Sequence, residues 1–172
     1  MLKSLFPAFA AVLMLAACSG SDSANSSSAS GNGAGANSAG GIGSKNVRPG
    51  SQEDLVANVG DRVFFDTDKA TIAGSSAPAR ANTTTLDKQA AWLKQYPQNM
   101  ITIAGNADER GTSEYNLALG QRRAQAAQSY LVAKGVAQSR MNVISYGKER
   151  PTALGSGADS WSQNRNAITS VR

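Results

Sequence analysis

Polar and apolar positions alternate along the chain in a way that divides it into a short apolar head, a long stretch without pattern, and a patterned remainder. The head is an apolar run from residue 5 to residue 15, broken by Pro7 and preceded by Lys3. Between residues 19 and 43 nearly every position is Ser, Gly, Ala or Asn, and Ile42 is the one large apolar side chain. Periodicity begins near Ser51. Ser51 is placed to cap a short helix over 52–58, with Glu53 and Asp54 at its positive end and Gly60 beyond it. Residues 62–65 (Arg-Val-Phe-Phe) predict a strand, and 68–81 is rich in turn residues with no clear period. Leu86, Ala90 and Leu93 recur at helical spacing and predict a helix over 85–96 that Pro97 ends. A strand over 100–104 puts Ile101 and Ile103 on one face.

A long helix is predicted over 113–134, with Ser113 as its cap, a stripe of Leu117, Ala124, Ala127 and Leu131, and Gly135 as its stop. A strand over 141–146 aligns Val143 with Ser145, a last helix falls at 158–164, and a last strand at 167–171 is polar for a core position. Strand and helix thus alternate, strand first and last, which predicts an α/β or α+β sandwich with helices over one sheet. About 120 ordered residues suffice for one hydrophobic core.

Composition removes whole classes of chemistry. The 172 residues include no histidine and one cysteine, Cys18. A Ser-His-Asp or Cys-His hydrolase and a zinc enzyme are therefore excluded, and no intramolecular disulfide can form. No cofactor or metal site is expected. The net charge of +5 pulls only weakly toward anionic partners, and no nucleic-acid partner is expected.

The head has the form of a secretory signal over 1–17. Its apolar run is too short to span a bilayer, which takes about 20 residues. It ends in Leu15-Ala16-Ala17-Cys18. That segment resembles the lipobox of bacterial lipoproteins, in which the cysteine becomes the lipidated first residue of the mature chain. Ser19 in place of Asp implies, by the same resemblance, the outer membrane of a Gram-negative cell. The Ser/Gly/Ala segment that follows cannot bury enough surface to offset the entropy of ordering. Taking Cys18 to residue 50 as anchor and tether, roughly 30 residues span about 30 Å on average and about 100 Å when stretched. The domain is expected over 51–172.

The run Gly105-Asn106-Ala107-Asp108-Glu109-Arg110-Gly111-Thr112, continued by Glu114-Tyr115-Asn116-Leu117-Ala118-Leu119-Gly120-Gln121-Arg122-Arg123-Ala124, resembles the signature of the OmpA-like peptidoglycan-binding domain, and most closely its lipoprotein branch. Leu86 to Leu93, Ser145-Tyr146-Gly147-Lys148-Glu149-Arg150-Pro151 and Asn164-Arg165 agree with it in order. The resemblance implies an α+β fold, a βαβαβαβ sandwich with helices packed on one mixed four-stranded sheet. It implies a non-catalytic function: reversible binding of the diaminopimelate stem peptide of peptidoglycan, fastening outer membrane to wall. It also implies partners in the Tol system, TolB and, as a second candidate, TolA, and a part in constriction at cell division. A wall-binding lipoprotein without Tol partners is the alternative.

Diaminopimelate ends in an ammonium and a carboxylate on one carbon, so its site needs an acid and a base a few ångströms apart. By resemblance Asp108 takes the ammonium and Arg123 the carboxylate, which a guanidinium can hold with two bonds. Arg110 would meet carbonyls or a second carboxylate, Thr112 or nearby backbone N–H groups would add anion contacts, Asp68 would line the same cleft, and Leu119 would wall it. The alternative for Asp108 and Arg123 is a mutual structural ion pair. Arg110 is open between ligand and structural roles, Trp92 and Trp161 read as packing residues, and Arg165 as a structural or backbone-bonding residue. The chain departs from the family pattern at Thr67 (usually aromatic), Asn106 (usually His) and Asn166 (usually Arg). A wall hydrolase would need a carboxylate pair flanking one bond, whereas adjacent Asp108 and Glu109 tend to point apart. No enzyme is expected.

Overall fold

A computed structural model describes residues 47–172. The expected signal segment, the lipidation residue Cys18 and the 19–43 tether lie outside the described residues. Helix α1 runs from Gln52 to Asp54 and continues as a π-wound turn over Leu55–Val59. Ser51 caps it, its Oγ accepting from the Asp54 N–H at 3.3 Å. The wide turn closes where the Gly60 N–H donates to the Leu55 carbonyl at 2.8 Å, with Gly60 at φ 97°. After it come β1 (Arg62–Phe64), α2 (Ala77–Gln95), β2 (Ile101–Asn106), α3 (Ser113–Ala133), β3 (Met141–Gly147), α4 (Ala158–Asn164) and β4 (Asn166–Val171).

The four strands form one mixed sheet in the order β1-β4-β2-β3. β4 is antiparallel to both its neighbours, and β2 and β3 run parallel. The α+β expectation holds, with one reversal of emphasis. β4, the most polar strand, is central, because its inward polar groups are matched from α2. Thr169 Oγ1 lies 3.0 Å from Gln89 Oε1, and Gln89 Nε2 donates to the Gly60 carbonyl at 2.7 Å. Paired in this way, a buried polar side chain loses little on leaving water.

Three local expectations are corrected. Helix α2 begins at Ala77, eight residues before the predicted start, with Ser76 as its cap and Pro78 in its first turn. The hydrophobic period misses this turn because the inward positions are Ala79 and Asn82 rather than large apolar residues. Asn82 serves the edge strand: it accepts from the Phe64 N–H at 2.8 Å and donates to the Phe64 carbonyl at 2.7 Å, standing in for a missing neighbour strand. The cap of α3 is Thr112, whose Oγ1 accepts from Tyr115 N–H at 3.2 Å; Ser113 instead donates to Glu149. Leu117 is 53% exposed and outside the core, since the inward face of α3 carries Asn116, Leu119, Gly120, Arg123, Ala124, Ala127 and Leu131.

That inward face is small where it crosses β2. A Cβ added to Gly105 would land on the carbonyl of Gly120, and one added to Gly120 would sit 2.7 Å from the Gly105 carbonyl oxygen. The two glycines let α3 lie directly on the sheet, which fixes the height of Arg123 above the end of β2. Gly105→Ala is therefore expected to cost about 3 kcal/mol in chemical denaturation, because the obstruction is backbone and cannot swing aside. Gly157→Ala, where a Cβ meets nothing within 4 Å, serves as the near-neutral control. Equal midpoints for the two would contradict the packing account.

Candidate functional site

The ends of β1 and β2 and the start of α3 meet at one edge of the sheet. There Thr67, Asp68, Asp108, Arg110, Gly111 and Tyr115 line an open cleft of about 260 Å³. Asp68 sits just past β1 in a left-handed conformation, φ 56°, and accepts from the Tyr115 hydroxyl at 3.4 Å. Asp108 follows β2 and is only 7% exposed. Arg110 grips it with two bonds, Nε to Oδ1 at 3.0 Å and Nη2 to Oδ2 at 2.8 Å. Arg165 approaches from behind, Nη1 to Oδ2 at 3.4 Å, while its Nε donates to the Phe65 carbonyl at 2.9 Å. Burial alone would raise the Asp108 carboxyl; the bonds from Arg110, then Arg165, outweigh it and hold the group below the ordinary carboxylate range.

Arg123 lies beneath this cleft and has no solvent exposure. Its Nε donates to the Lys69 carbonyl at 2.9 Å, Nη1 to that of Asn106 at 2.8 Å and Nη2 to that of Asp66 at 3.2 Å. The Phe65 ring packs 5.2 Å from its Cζ. Burial, and then the nearby Arg165, lower its guanidinium to about 10, so it stays cationic at neutral pH. The mutual Asp108–Arg123 ion pair does not form; the cations on Asp108 are Arg110 and Arg165.

The sequence-selected residues thus separate into two levels. Asp108, Arg110 and Asp68 share the cleft. Arg123 and Leu119 are buried and do not line it, and the Thr112 hydroxyl is engaged as a helix cap. Tyr115, Arg165 and Trp161 complete the surroundings and were not selected as ligand-facing. Trp161 supports the site: its ring lies 4.3 Å from the Arg110 Cζ, and its Nε1 donates to Glu109 Oε1 at 2.9 Å. Tyr115 had a local signal, one helical turn behind the capped motif. Arg165 bonds the Phe65 carbonyl across 100 positions of chain, as its reading as a backbone-bonding residue expects, but its approach to Asp108 had no signal in the sequence. Two departures from the family pattern face each other, Asn106 Nδ2 donating to Asn166 Oδ1 at 2.8 Å. Thr67, the third, accepts from Arg110 Nη2 at 3.4 Å.

This is a cleft with an anion set among cations, able to bind a small group carrying both charges. The family model described as the OmpA family matches residues 64–165, from the last residue of β1 to the residue before β4. The chain belongs to the OmpA family. It is 57% identical over 129 residues to the peptidoglycan-associated lipoprotein of Rhizobium meliloti, covering 75% of this chain and 70% of that protein. With the protein of the same description from Mesorhizobium japonicum it shares 48% identity over 164 residues, 95% of this chain and 89% of the other. Among solved structures, the peptidoglycan-associated lipoprotein from Burkholderia pseudomallei matches with a TM-score of 0.61 at 40% identity, over 69% of this chain and all of that one. The C-terminal domain of Helicobacter pylori MotB, at a TM-score of 0.55 and 18% identity over 65% of this chain and 84% of that one, shares the OmpA-family fold.

Two outcomes are expected at this site. Arg123→Lys keeps the charge but cannot reach three carbonyls at once, so it is expected to lose about 2–4 kcal/mol in denaturant unfolding; wild-type stability would contradict the clamp. Asp108 has a depressed folded value, so its stabilising contribution is fully present above about pH 4, its unfolded range, and is lost as pH falls through the folded value. The stability gap between wild type and Asp108→Asn should therefore narrow in thermal melts below about pH 4. A gap independent of pH would refute the pairing.

Proposed function

We propose that this protein is a lipid-anchored, non-enzymatic binder of peptidoglycan that fastens the outer membrane to the cell wall. The observation that carries this reading is the Asp108 carboxylate held among guanidinium groups at the floor of an open polar cleft. The names of its relatives support the same ligand. In this reading the stem peptide enters tip first. The diaminopimelate ammonium meets Asp108, and its carboxylate turns toward the cationic side, with Arg110 at the rim and Arg123 supplying positive charge from beneath the cleft. Asp68 and Tyr115 flank the tip, and Thr112 acts through the cap that holds the start of α3.

Cys18 carries the acyl anchor on the periplasmic face of the outer membrane, and residues up to about 50 form the tether to the domain. Several acyl chains hold a lipoprotein firmly, since each buried CH₂ contributes about 0.8 kcal/mol. A firm anchor and a reversible wall contact in one molecule raise the effective concentration of the weaker contact, so many copies fasten the two layers together. Alternation between a wall-bound state and a state bound to TolB, with TolA as a further partner, suits the changes the envelope undergoes at constriction.

Sedimentation with purified sacculi tests the reading. Wild type is expected in the pellet, Asp108→Asn is expected to lose about tenfold or more in retention, and added TolB is expected to release the wild type. Thermal melts run alongside separate loss of binding from loss of fold. Retention of a folded Asp108→Asn variant at the wild-type level would overturn the site.

A further inference from the structure

The Asp108 carboxylate already has a cation in the empty cleft. Arg110 reaches both its oxygens, and the Arg110 backbone N–H adds a bond to Oδ1 at 3.2 Å. A two-pronged guanidinium is among the strongest partners a carboxylate finds. An incoming ammonium therefore cannot simply add to Asp108; it must take the place of the Arg110 side chain.

The fold allows that exchange at Arg110 and opposes it at the other two guanidinium groups. Arg123 is fully buried on three carbonyls. The Arg165 side chain is 15% exposed and anchored to the Phe65 carbonyl. The Arg110 side chain is 43% exposed, springs from the loop between β2 and α3, and has no carbonyl partner among the described residues. What faces it on the other side is the Trp161 indole, itself fixed by its bond to Glu109. An indole face attracts a guanidinium without directional bonds, so the side chain can slide across it while staying paired with the ring.

Ligand chemistry then decides whether the exchange is favourable. A tip bearing an ammonium alone, as in lysine, would displace Arg110 and leave that guanidinium without an anion. A tip bearing ammonium and carboxylate on one carbon supplies both partners: the ammonium meets Asp108, and the carboxylate meets the displaced Arg110. Every charge is paired before and after. We propose that Arg110 is the specificity-determining residue of this cleft, occupying the ammonium's place when the cleft is empty and binding the ligand's carboxylate when it is full. Trp161 is the positioning residue that carries its guanidinium between the two. This rests on the wall-binding reading of the same cleft and adds the source of its selectivity.

The test is calorimetric titration of the full chain with two tripeptides that differ only in the third residue, meso-diaminopimelate or L-lysine. Wild type is expected to prefer the diaminopimelate peptide by about tenfold or more. In Arg110→Ala, binding of the diaminopimelate peptide falls, binding of the lysine peptide rises, and the ratio approaches one. Arg110→Lys, which keeps the charge without the fork, gives an intermediate ratio, and Trp161→Ala lowers the ratio with Asp108 untouched. The Trp161 indole N–H resonance shifts with the diaminopimelate peptide and not with the lysine peptide. A folded Arg110→Ala protein with the wild-type ratio would overturn the proposal while leaving the wall-binding reading intact. Failure of that reading looks different: Asp108→Asn binds the diaminopimelate peptide as tightly as wild type, or wild type binds neither peptide, and the selectivity proposal falls with it.

Discussion

A guanidinium with no access to water must satisfy its hydrogens on the protein, and Arg123 does so on carbonyls from two separate segments. Lys69 and Asp66 belong to the loop after β1, and Asn106 is the last residue of β2. One side chain on α3 therefore ties the loop that carries Asp68 to the strand that delivers Asp108. The cost of burying a charge is large unless hydrogen bonds replace the lost water, so the three segments can meet only in a few arrangements. The glycine contact between β2 and α3 sets the height at which this happens, and the cleft above inherits its shape from it.

The same constraint assigns roles to the cations around Asp108. A charge fixed from every side holds geometry; a charge fixed on one side can answer a ligand. Arg123 and Arg165 are of the first kind and Arg110 of the second, although all three carry the same group. The cations outweigh the cost of burial and keep the Asp108 carboxylate ionised and paired when the cleft is empty. A ligand that carries both charges can replace that one pairing with two, which is the character of a zwitterionic amino-acid tip.

Much of this was legible in the sequence, and the exceptions have a common cause. Apolar residues at regular spacing, small ones in α3, gave α3, β2 and the C-terminal half of α2 their places, and the motif around Asp108 placed the acid. Where inward positions are polar, the period is silent: Asn82 hid the first turns of α2, and Thr169 made a central strand look too polar for a core position. Leu117 erred in the opposite sense, an apolar residue facing solvent. At the site, the family resemblance put Asp108 and Arg123 together, but the depth of Arg123 depends on how closely α3 approaches β2, a tertiary quantity. Arg165 is legible as a backbone-bonding residue, but its approach to Asp108 depends on a tertiary contact, and the contribution of Trp161 depends on a stacking contact with Arg110.

The central claim is that a zwitterionic tip is recognised by the Asp108–Arg110 carboxylate–guanidinium pair at the edge of this sheet. A crystal structure of the domain with a stem peptide ending in meso-diaminopimelate bound tests it most directly. The account predicts the tip ammonium within hydrogen-bonding distance of Asp108, the adjoining carboxylate against the Arg110 guanidinium, and Arg123 still on its carbonyls. A peptide seated elsewhere, with Arg110 unmoved on Asp108, would contradict it.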